Sequence, residues 1–266
     1  MEKRTDYDII DIHAHIFPDK IAVKAVDSIG RYYGVSMRRN GTVEGLLESG
    51  SNIGVSKYIV HSSATTVEQV KAINDYVSGV IRAHPEFIGF ATLHPDLPDV
   101  PAEVERIITL GLKGLKLHPE FQHFSVDDDS MMPIYEAVQG RLPVLIHMGD
   151  QNVDTSSPVR LARVLDRFPE LVVIAAHFGG YRMWDLSCEH LIGRNVYMDT
   201  SSTLFFIDPE RAVEMIRRHG VEKMLFGSDF PMWDHKEELD RFLALDLTEE
   251  ERRAILSGNA HKLLSV

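Results

Sequence analysis

Short apolar segments that alternate with amphipathic segments of helical periodicity constrain the fold of this chain more than any other feature. The apolar segments are rich in Val, Ile, Leu and Phe, as β-strands are, and they occur at 9–12, 57–60, 87–93, 114–117, 143–146, 171–176, 195–198 and 223–226. Apolar strands joined by helices predict a parallel sheet covered on its outer face, and eight repeats allow that sheet to close. We therefore predict an α/β fold, a single (β/α)8 TIM barrel, with an open doubly wound sheet as the alternative.

The segments between the strands indicate where the helices lie. Helical spacing is found at 67–83, 101–110, 158–168 and 209–219. The stretch 19–40 is longer than a usual strand-to-helix connection of ~2–6 residues, so we predict a long loop that covers the functional site. Near the end of the chain, 248–264 reads as two short helices broken at 257–259.

Length and charge limit the classes of partner. A chain of 266 residues suits one barrel domain spanning 1–266. The net charge of −12 argues against nucleic acid and against an anionic membrane surface. Because Cys188 is the only cysteine, no disulfide can form within the chain, which is typical of a reducing compartment. Without a secretion signal or a span of ~18 apolar residues, we expect a cytoplasmic protein that acts on a small molecule.

Histidines and one aspartate follow the predicted strands. Those near strand ends are His13, His15, His61, His94, His118, His147 and His177, and the last strand is followed by Asp229. The strand C-termini of a barrel converge on one face, so these side chains are expected to meet. Period-two alternation also places Asp11, His13 and His15 on the same face of the first strand. Nitrogen and carboxylate donors together predict a site for a borderline metal such as zinc.

The motifs DIHAHIFP, KGLKLHP, LIHMGD, AHFGG, LFGSDFP and GNAHKLL, spread between Asp11 and Leu264, allow a comparison with known families. In their joint order the chain resembles the amidohydrolase superfamily, and most of all its branch of aminocarboxymuconate-semialdehyde-decarboxylase-like metal-dependent hydrolases. The resemblance implies a (β/α)8 barrel that holds one or two divalent metals.

Carried over position by position, the resemblance implies His13, His15, His147 and Asp229 as ligands of a single ion, Zn2+ or another divalent metal such as Mn2+. It implies Asp229 and His177 as the catalytic residues. In binuclear relatives a second metal is bridged by a carboxylated lysine or a glutamate of the fourth strand, so Lys116, His118 and His177 are candidates for a second metal or for substrate. Lys116 is alternatively an ammonium group that binds a substrate carboxylate, or one half of a buried ion pair with Asp11.

Other residues near strand ends are candidate substrate contacts, namely His61, His94, Arg182, Phe178 and Trp233. Each has a structural alternative: a histidine hydrogen-bonded to loop atoms, a surface arginine paired with an acidic neighbour, or an aromatic ring in the core. The remaining histidines receive no functional role; they are His84, His123, His190, His219, His235 and His261.

The predicted chemistry is that of a metal-dependent enzyme. We expect first a hydrolase of a small amide, lactone or ester that uses a metal-activated water. The alternative is a metal-dependent nonoxidative decarboxylase or lyase of an unsaturated or aromatic carboxylic acid, since the same ligands suit either reaction. A phosphoesterase or nuclease is disfavoured by the acidic charge, and a purely structural metal by the open coordination position. Family precedent further implies a homodimer.

Overall fold

The computed structural model describes residues 6–266, and its eight strands form one sheet in the chain order β1 to β8. The strands are β1 Ile9–His15, β2 Val55–His61, β3 Phe87–Ala91, β4 Gly114–Leu117, β5 Val144–Ile146, β6 Val173–Ala175, β7 Tyr197–Asp199 and β8 Met224–Leu225. A helix follows each strand in sequence. This order confirms the predicted fold class, a (β/α)8 barrel.

The helices largely follow the predicted segments. They are α1 Asp19–Tyr33, α2 Val43–Ser51, α3 Gln69–Ala83, α4 Val100–Thr109, α5 Pro119–Gln122, α6 Met132–Val138, α7 Pro158–Arg167, α8 Trp184–His190, α9 Pro209–His219, α10 His235–Leu243, α11 Glu249–Arg253 and α12 Asn259–Leu264. In the described part of the chain, no helix is long and apolar enough to cross a membrane. The cytoplasmic location itself stays a prediction.

The prediction of a long loop at 19–40 is wrong for most of that stretch, because 19–33 form α1. Ala22, Val26 and Gly30 are its buried residues, four positions apart, and Gly34 ends the helix in the left-handed conformation. Apolar residues on the exposed side of the helix, such as Val23 at 65% exposure, hide this periodicity in the sequence. The predicted break at 257–259 is also absent, since a π-helical turn at Ala254–Gly258 leads directly into α12.

The chain divides into two compact units, one made of residues up to Val60 together with Thr200–Val266, the other of His61–Asp199. In the second unit β3 to β7 pair in parallel, with Leu115 beside Val144 and Val144 beside Val173. In the first unit the Ile12 N–H donates to the Phe226 carbonyl at 2.9 Å. The prediction of one domain spanning 1–266 stays a prediction.

Both faces of β1 are buried, as expected for a parallel strand covered on each side. Ile10 and Ile12 on one face and Asp11 and His13 on the other are all at 0% exposure. A buried carboxylate and a buried imidazole need polar partners, because an unpaired polar group in the interior is costly. The polar face of β1 therefore marks where the chemistry lies.

Candidate metal centre

The end of β1 and the loop after β8 bring together three of the predicted metal ligands in the first unit. His13 Nε2 lies 3.2 Å from His15 Nε2 and 3.3 Å from Asp229 Oδ1. His15 Nε2 lies 3.4 Å from the same carboxylate oxygen. Backbone pairing sets this geometry, since the Asp229 N–H donates to the His13 carbonyl at 2.9 Å and the His15 N–H to the Phe230 carbonyl at 2.8 Å.

The spacing of these three atoms fits a single divalent ion. In a tetrahedral site with ligand bonds of ~2.0–2.1 Å, neighbouring ligand atoms are roughly 3.4 Å apart. The observed separations are 3.2 to 3.4 Å. Asp229 is only 7% exposed, and a cation stabilises a carboxylate that is removed from water. His13, His15 and Asp229 are therefore suited to hold a metal.

Asp11 fastens β1 to the loop that carries Asp229. Its Oδ1 accepts from the backbone N–H groups of His13 at 3.0 Å and Ser228 at 2.9 Å. Its Oδ2 lies 2.6 Å from Ser228 Oγ and 2.9 Å from His235 Nε2. Asp11 and His235 are both fully buried. His235, to which the sequence assigns no role, is thus an internal partner of β1 and not a peripheral residue.

A second group of histidines lies in the second unit, after β4, β5 and β6. His177 Nε2 is 3.0 Å from His147 Nδ1, and the His118 ring stacks on the His147 ring with centroids 4.1 Å apart and planes 9° from parallel. Burial, followed by the neighbouring His118 and His177, lowers the pKa of His147 well below its usual value. His147 is therefore a neutral imidazole at pH 7, the form that binds metals.

Glu120 joins the second group as a residue that the sequence did not single out. Its Oε2 lies 3.4 Å from His118 Nδ1 and 3.9 Å from His147 Nε2. Thr155 and Ser156 donate hydroxyl hydrogen bonds to its other oxygen. A metal lies close to the plane of each imidazole that binds it, and two parallel stacked rings have no common in-plane point. The stacking therefore makes in-plane coordination of one ion by both His118 and His147 unfavourable, although one ligand atom each of His118, Glu120 and His147 lie within 4.8 Å of one another.

The predicted four-ligand set draws on both units. His13, His15 and Asp229 belong to the first, and His147 belongs to the second. The complete set therefore stays a prediction, as do the catalytic roles of Asp229 and His177.

The backbone is strained at several of these residues. Positive φ angles of 61° at His177, 55° at Phe178, 58° at Asp229 and 49° at Ser202 place non-glycine residues in the left-handed region. Such conformations persist only where surrounding contacts impose them, and they are enriched at functional sites. Ser202, which follows β7, was not anticipated from the sequence.

The candidates for a second metal or for substrate are mostly buried. Lys116 on β4 is at 0% exposure, as is His61 at the end of β2. His94 Nδ1 accepts from the Asp96 backbone N–H at 3.2 Å, which favours the structural alternative for this histidine. Carboxylation of Lys116 stays a prediction.

The aromatic and cationic candidates have different surroundings. Phe178 is fully buried. The ring of Trp233 packs against Phe205 at 4.9 Å, and the Arg241 guanidinium lies 4.8 Å from its centre. The Arg182 guanidinium lies 5.5 Å from the Tyr181 ring centre. Their contacts with substrate stay predictions.

The family to which the chain belongs agrees with this geometry. The family model described as amidohydrolase matches residues 10–266. The chain therefore belongs to the amidohydrolase family and is an enzyme of that superfamily, which confirms the resemblance found in the motifs.

Two relatives share 22% and 26% of their aligned residues with this chain. It is similar to a γ-resorcylate decarboxylase of Polaromonas sp. (strain JS666 / ATCC BAA-500), with 22% identity over 78% of this chain and 79% of that protein. It is also similar to a 2-keto-4-carboxy-3-hexenedioate hydratase of Sphingobium sp. (strain NBRC 103272 / SYK-6), with 26% identity over 77% and 73%.

Among solved structures, the chain matches a 5-carboxyvanillate decarboxylase of Novosphingobium aromaticivorans DSM 12444, crystallised with manganese and 4-hydroxy-3-methoxy-5-nitrobenzoic acid. The TM-score is 0.76 with 17% identity, and the match covers 98% of this chain and 97% of that one. At this identity the likeness supports the (β/α)8 fold.

These findings correct the first functional prediction. A hydrolase of a small amide, lactone or ester is wrong, because the similar proteins are decarboxylases and a hydratase. The physical reason for the error is that metal ligands alone do not distinguish these reactions. The His and Asp donors here are suited to a divalent metal, and they do not select zinc in particular.

Proposed function

We propose that this chain is a metal-dependent nonoxidative decarboxylase of an unsaturated or aromatic carboxylic acid. The observation that carries the proposal is the convergence of His13, His15 and Asp229 at separations that fit one divalent ion. The decarboxylases among the similar proteins support the reaction class. His13, His15, Asp229 and His147 would hold a single ion, and manganese is the metal we propose to test first.

The reaction breaks one carbon–carbon bond without an oxidant. The bond between the substrate carbon and its carboxylate breaks, the electron pair stays on that carbon, carbon dioxide leaves, and the carbon takes up one proton. A bound divalent ion supplies positive charge that polarises a substrate oxygen. The protein must therefore orient the acid, exclude water and deliver a single proton.

Asp229 and His177 are the groups that we propose to hold and move this proton. Asp229 Oδ1 faces the two imidazole nitrogens of β1. The imidazole of His177 is nearly fully buried, and its Nε2 is hydrogen-bonded to His147. A positioned acid or base of this kind contributes ~10²- to 10⁴-fold to a reaction rate.

Substrate binding is assigned to the remaining candidates. Trp233, at 5% exposure, offers apolar surface to an aromatic or unsaturated acid, as ligand sites commonly do. Contact with the fully buried Phe178 requires its side chain to move. Lys116 or Arg182 offers a positive charge to a second anionic group of the substrate. His61, His94 and His118 are further polar contacts. A small-molecule substrate, a homodimer and a cytoplasmic location remain part of the proposal.

Hydration of a carbon–carbon double bond is the second candidate. It is favoured by one finding, the 26% identity with a hydratase of a carboxylated enoic acid. The same donors would serve both reactions, because each needs a polarised substrate oxygen and a proton delivered to carbon. Hydration in addition breaks the π bond and forms a bond from the oxygen of one water to the other carbon. The two differ in product, since only decarboxylation releases carbon dioxide.

The test uses protein loaded with Mn2+ and a panel of carboxyl-labelled acids, including γ-resorcylate, 5-carboxyvanillate and unsaturated dicarboxylic acids. We expect labelled carbon dioxide from at least one acid and, in D2O, one deuterium at the carbon that held the carboxylate. Chelator-treated protein and the Asp229→Asn variant are the controls. Consumption of an acid without carbon dioxide would instead assign hydration, and no consumption of any acid would overturn both candidates.

A further inference from the structure

Two consecutive serines that follow β7 contact the outer atoms of the metal-ligand group. Ser201 Oγ lies 3.1 Å from His13 Nδ1, on the opposite side of the ring from the nitrogen that faces Asp229. Ser202 Oγ donates to Asp229 Oδ2 at 2.5 Å, while Oδ1 of the same carboxylate faces the two histidines. Both serines are fully buried. One dipeptide therefore bonds to ligands from both β1 and the β8 loop.

The direction of the hydrogen bonds at Ser202 is fixed by its partners. The indole Nε1 of Trp233 donates to Ser202 Oγ at 2.9 Å, and an indole N–H has no acceptor capacity. The Ser202 proton is then available to the carboxylate, which accepts only. The thioether of Met232, 3.2 Å from the same hydroxyl, is a much weaker acceptor. The order of donation is therefore Trp233 to Ser202 to Asp229.

This order determines how Asp229 presents its oxygens. Because Ser202 bonds to Oδ2, rotation of the carboxylate away from His13 and His15 would break a charge-assisted hydrogen bond. The oxygen that remains directed at the two imidazole nitrogens is Oδ1, at 3.3 and 3.4 Å. Ser202 thereby selects one carboxylate oxygen for the ion without lying next to the ion itself.

Ser201 acts on the histidine side of the same group. When His13 binds a metal through Nε2, its Nδ1 carries the proton. Ser201 Oγ then accepts a hydrogen bond from Nδ1–H. Partners that bond the second nitrogen of a ligating histidine fix its tautomer and ring orientation, and their removal typically costs ~10- to 100-fold in metal affinity.

The backbone gives an independent indication that the Ser202 side chain is required. Its φ of 49° lies in the region where glycine is favoured, and Asp229, to which it bonds, has a φ of 58°. A serine at such a position bears a conformational cost that glycine would avoid. The hydrogen bonds of the Ser202 hydroxyl with Asp229 and Trp233 offset this cost.

We propose that Ser201 and Ser202 are positioning residues of the metal centre, which orient His13 and Asp229 toward one divalent ion. The inference rests on the metal centre of the proposed function, but it does not depend on whether the reaction is decarboxylation or hydration.

The test is a titration of metal-free protein with Mn2+, comparing wild type with Ser202→Ala, Ser202→Gly and Ser201→Ala. Ser78→Ala is the matched control. Ser78 lies on α3, is fully buried, and donates its hydroxyl hydrogen bond to the Leu110 carbonyl at 3.0 Å. We expect the Mn2+ dissociation constant to rise ~10- to 100-fold in the three variants and to stay within about twofold in the control. Ser202→Gly keeps the test valid if Ser202→Ala misfolds, since glycine accepts the positive φ.

A second readout separates positioning from general stability. In Co2+-loaded protein the visible absorption bands report the number and arrangement of ligands, so we expect changed intensities in the Ser202 variants and unchanged bands in Ser78→Ala. Trp233→Phe, which keeps the serine but removes its indole donor together with part of the ring, should give a smaller change of the same kind.

The outcomes for the inference and for the proposed function are distinct. Unchanged Mn2+ affinity and unchanged Co2+ bands in both Ser202 variants would overturn the positioning role while the metal centre stands. Wild-type protein that binds neither ion would overturn the metal centre and the inference with it. Weakened binding in the variants, together with no carbon dioxide from any acid, would support the inference and contradict the decarboxylase.

Discussion

The two histidine groups of this molecule use the same residue type at comparable strand ends, yet their donor atoms are arranged differently. In the first unit, nitrogens of His13 and His15 and an oxygen of Asp229 converge to within 3.4 Å of one another. In the second unit, the rings of His118 and His147 lie face to face, 9° from parallel. Position at a strand end therefore brings histidines near each other, but ring orientation decides whether they can share an ion.

The supports of the two groups also differ. Backbone pairing, Asp11 and the serines after β7 fix the first group through directed hydrogen bonds. The second group combines hydrogen bonds, such as that between His147 Nδ1 and His177 Nε2, with ring packing, since Phe121 stacks on His118 and His118 on His147. Directed hydrogen bonds define a donor's angle, whereas stacked rings mainly define a separation. We expect substitutions in the first group to change metal binding and catalysis. In the second group, we expect the effect on metal content to depend on which histidine is replaced.

The largest expected effect is at Asp229. Asp229→Asn keeps the size of the side chain but removes the negative charge and the capacity to accept a proton, so we expect kcat to fall by about 10³-fold or more. The fold should remain, as measured by far-ultraviolet circular dichroism and by the melting temperature. Near-normal turnover in this variant would remove Asp229 from the mechanism.

A matched pair in the second group tests whether His147 is the one ring of that group that binds the ion. His147→Ala should lose most of the bound metal, measured per chain by elemental mass spectrometry, because a neutral imidazole donor is removed. His118→Ala should retain it, because His118 is not among the four ligands proposed for the ion. Full occupancy in His147→Ala would show that the ligand set is wrong, and loss in His118→Ala would show that the rings rearrange.

Asp11 offers a third test, directed at the rigidity of the first group. Asp11→Ala leaves the His235 and Ser228 donors without their buried acceptor, so we expect the free energy of unfolding to fall by about 3 kcal/mol. Urea denaturation of metal-free protein measures this effect. Asp8→Ala is the control, because Asp8 bonds to Ser56 and His261 at an exposed position, and its loss should cost less than about 1 kcal/mol. Equal losses of unfolding free energy in the two variants would mean that Asp11 stabilises the fold no more than an exposed carboxylate does.

The fold and part of the site follow from sequence for a clear physical reason. Apolar runs and helical spacing are local, so β4 and α9 match the predicted ranges, and the motif positions place His13, His15 and Asp229 on the elements that converge. The reaction does not follow, because the same donors serve hydrolysis, hydration and decarboxylation.

Other features depend on contacts distant in sequence. His235 begins a helix and has no distinguishing neighbours in the sequence, yet it is buried against Asp11, 224 positions away. Ser201 and Ser202 belong to a run of hydroxyl residues after β7 that resembles an ordinary loop. Only tertiary packing shows that their side chains reach His13 and Asp229.

The smallest expected effect concerns the ring stack of the second group. The Phe121 ring lies 4.0 Å from the His118 ring, with planes 17° apart. Phe121→Leu removes this stacking, so we expect the free energy of unfolding to fall by about 1 kcal/mol. Phe121→Tyr, which keeps the ring, should be close to wild type. Because Phe121 stacks on His118, which is not among the four ligands proposed for the ion, metal content should not change. A loss of half the metal in Phe121→Leu would mean that the two groups are not as different as their geometry indicates.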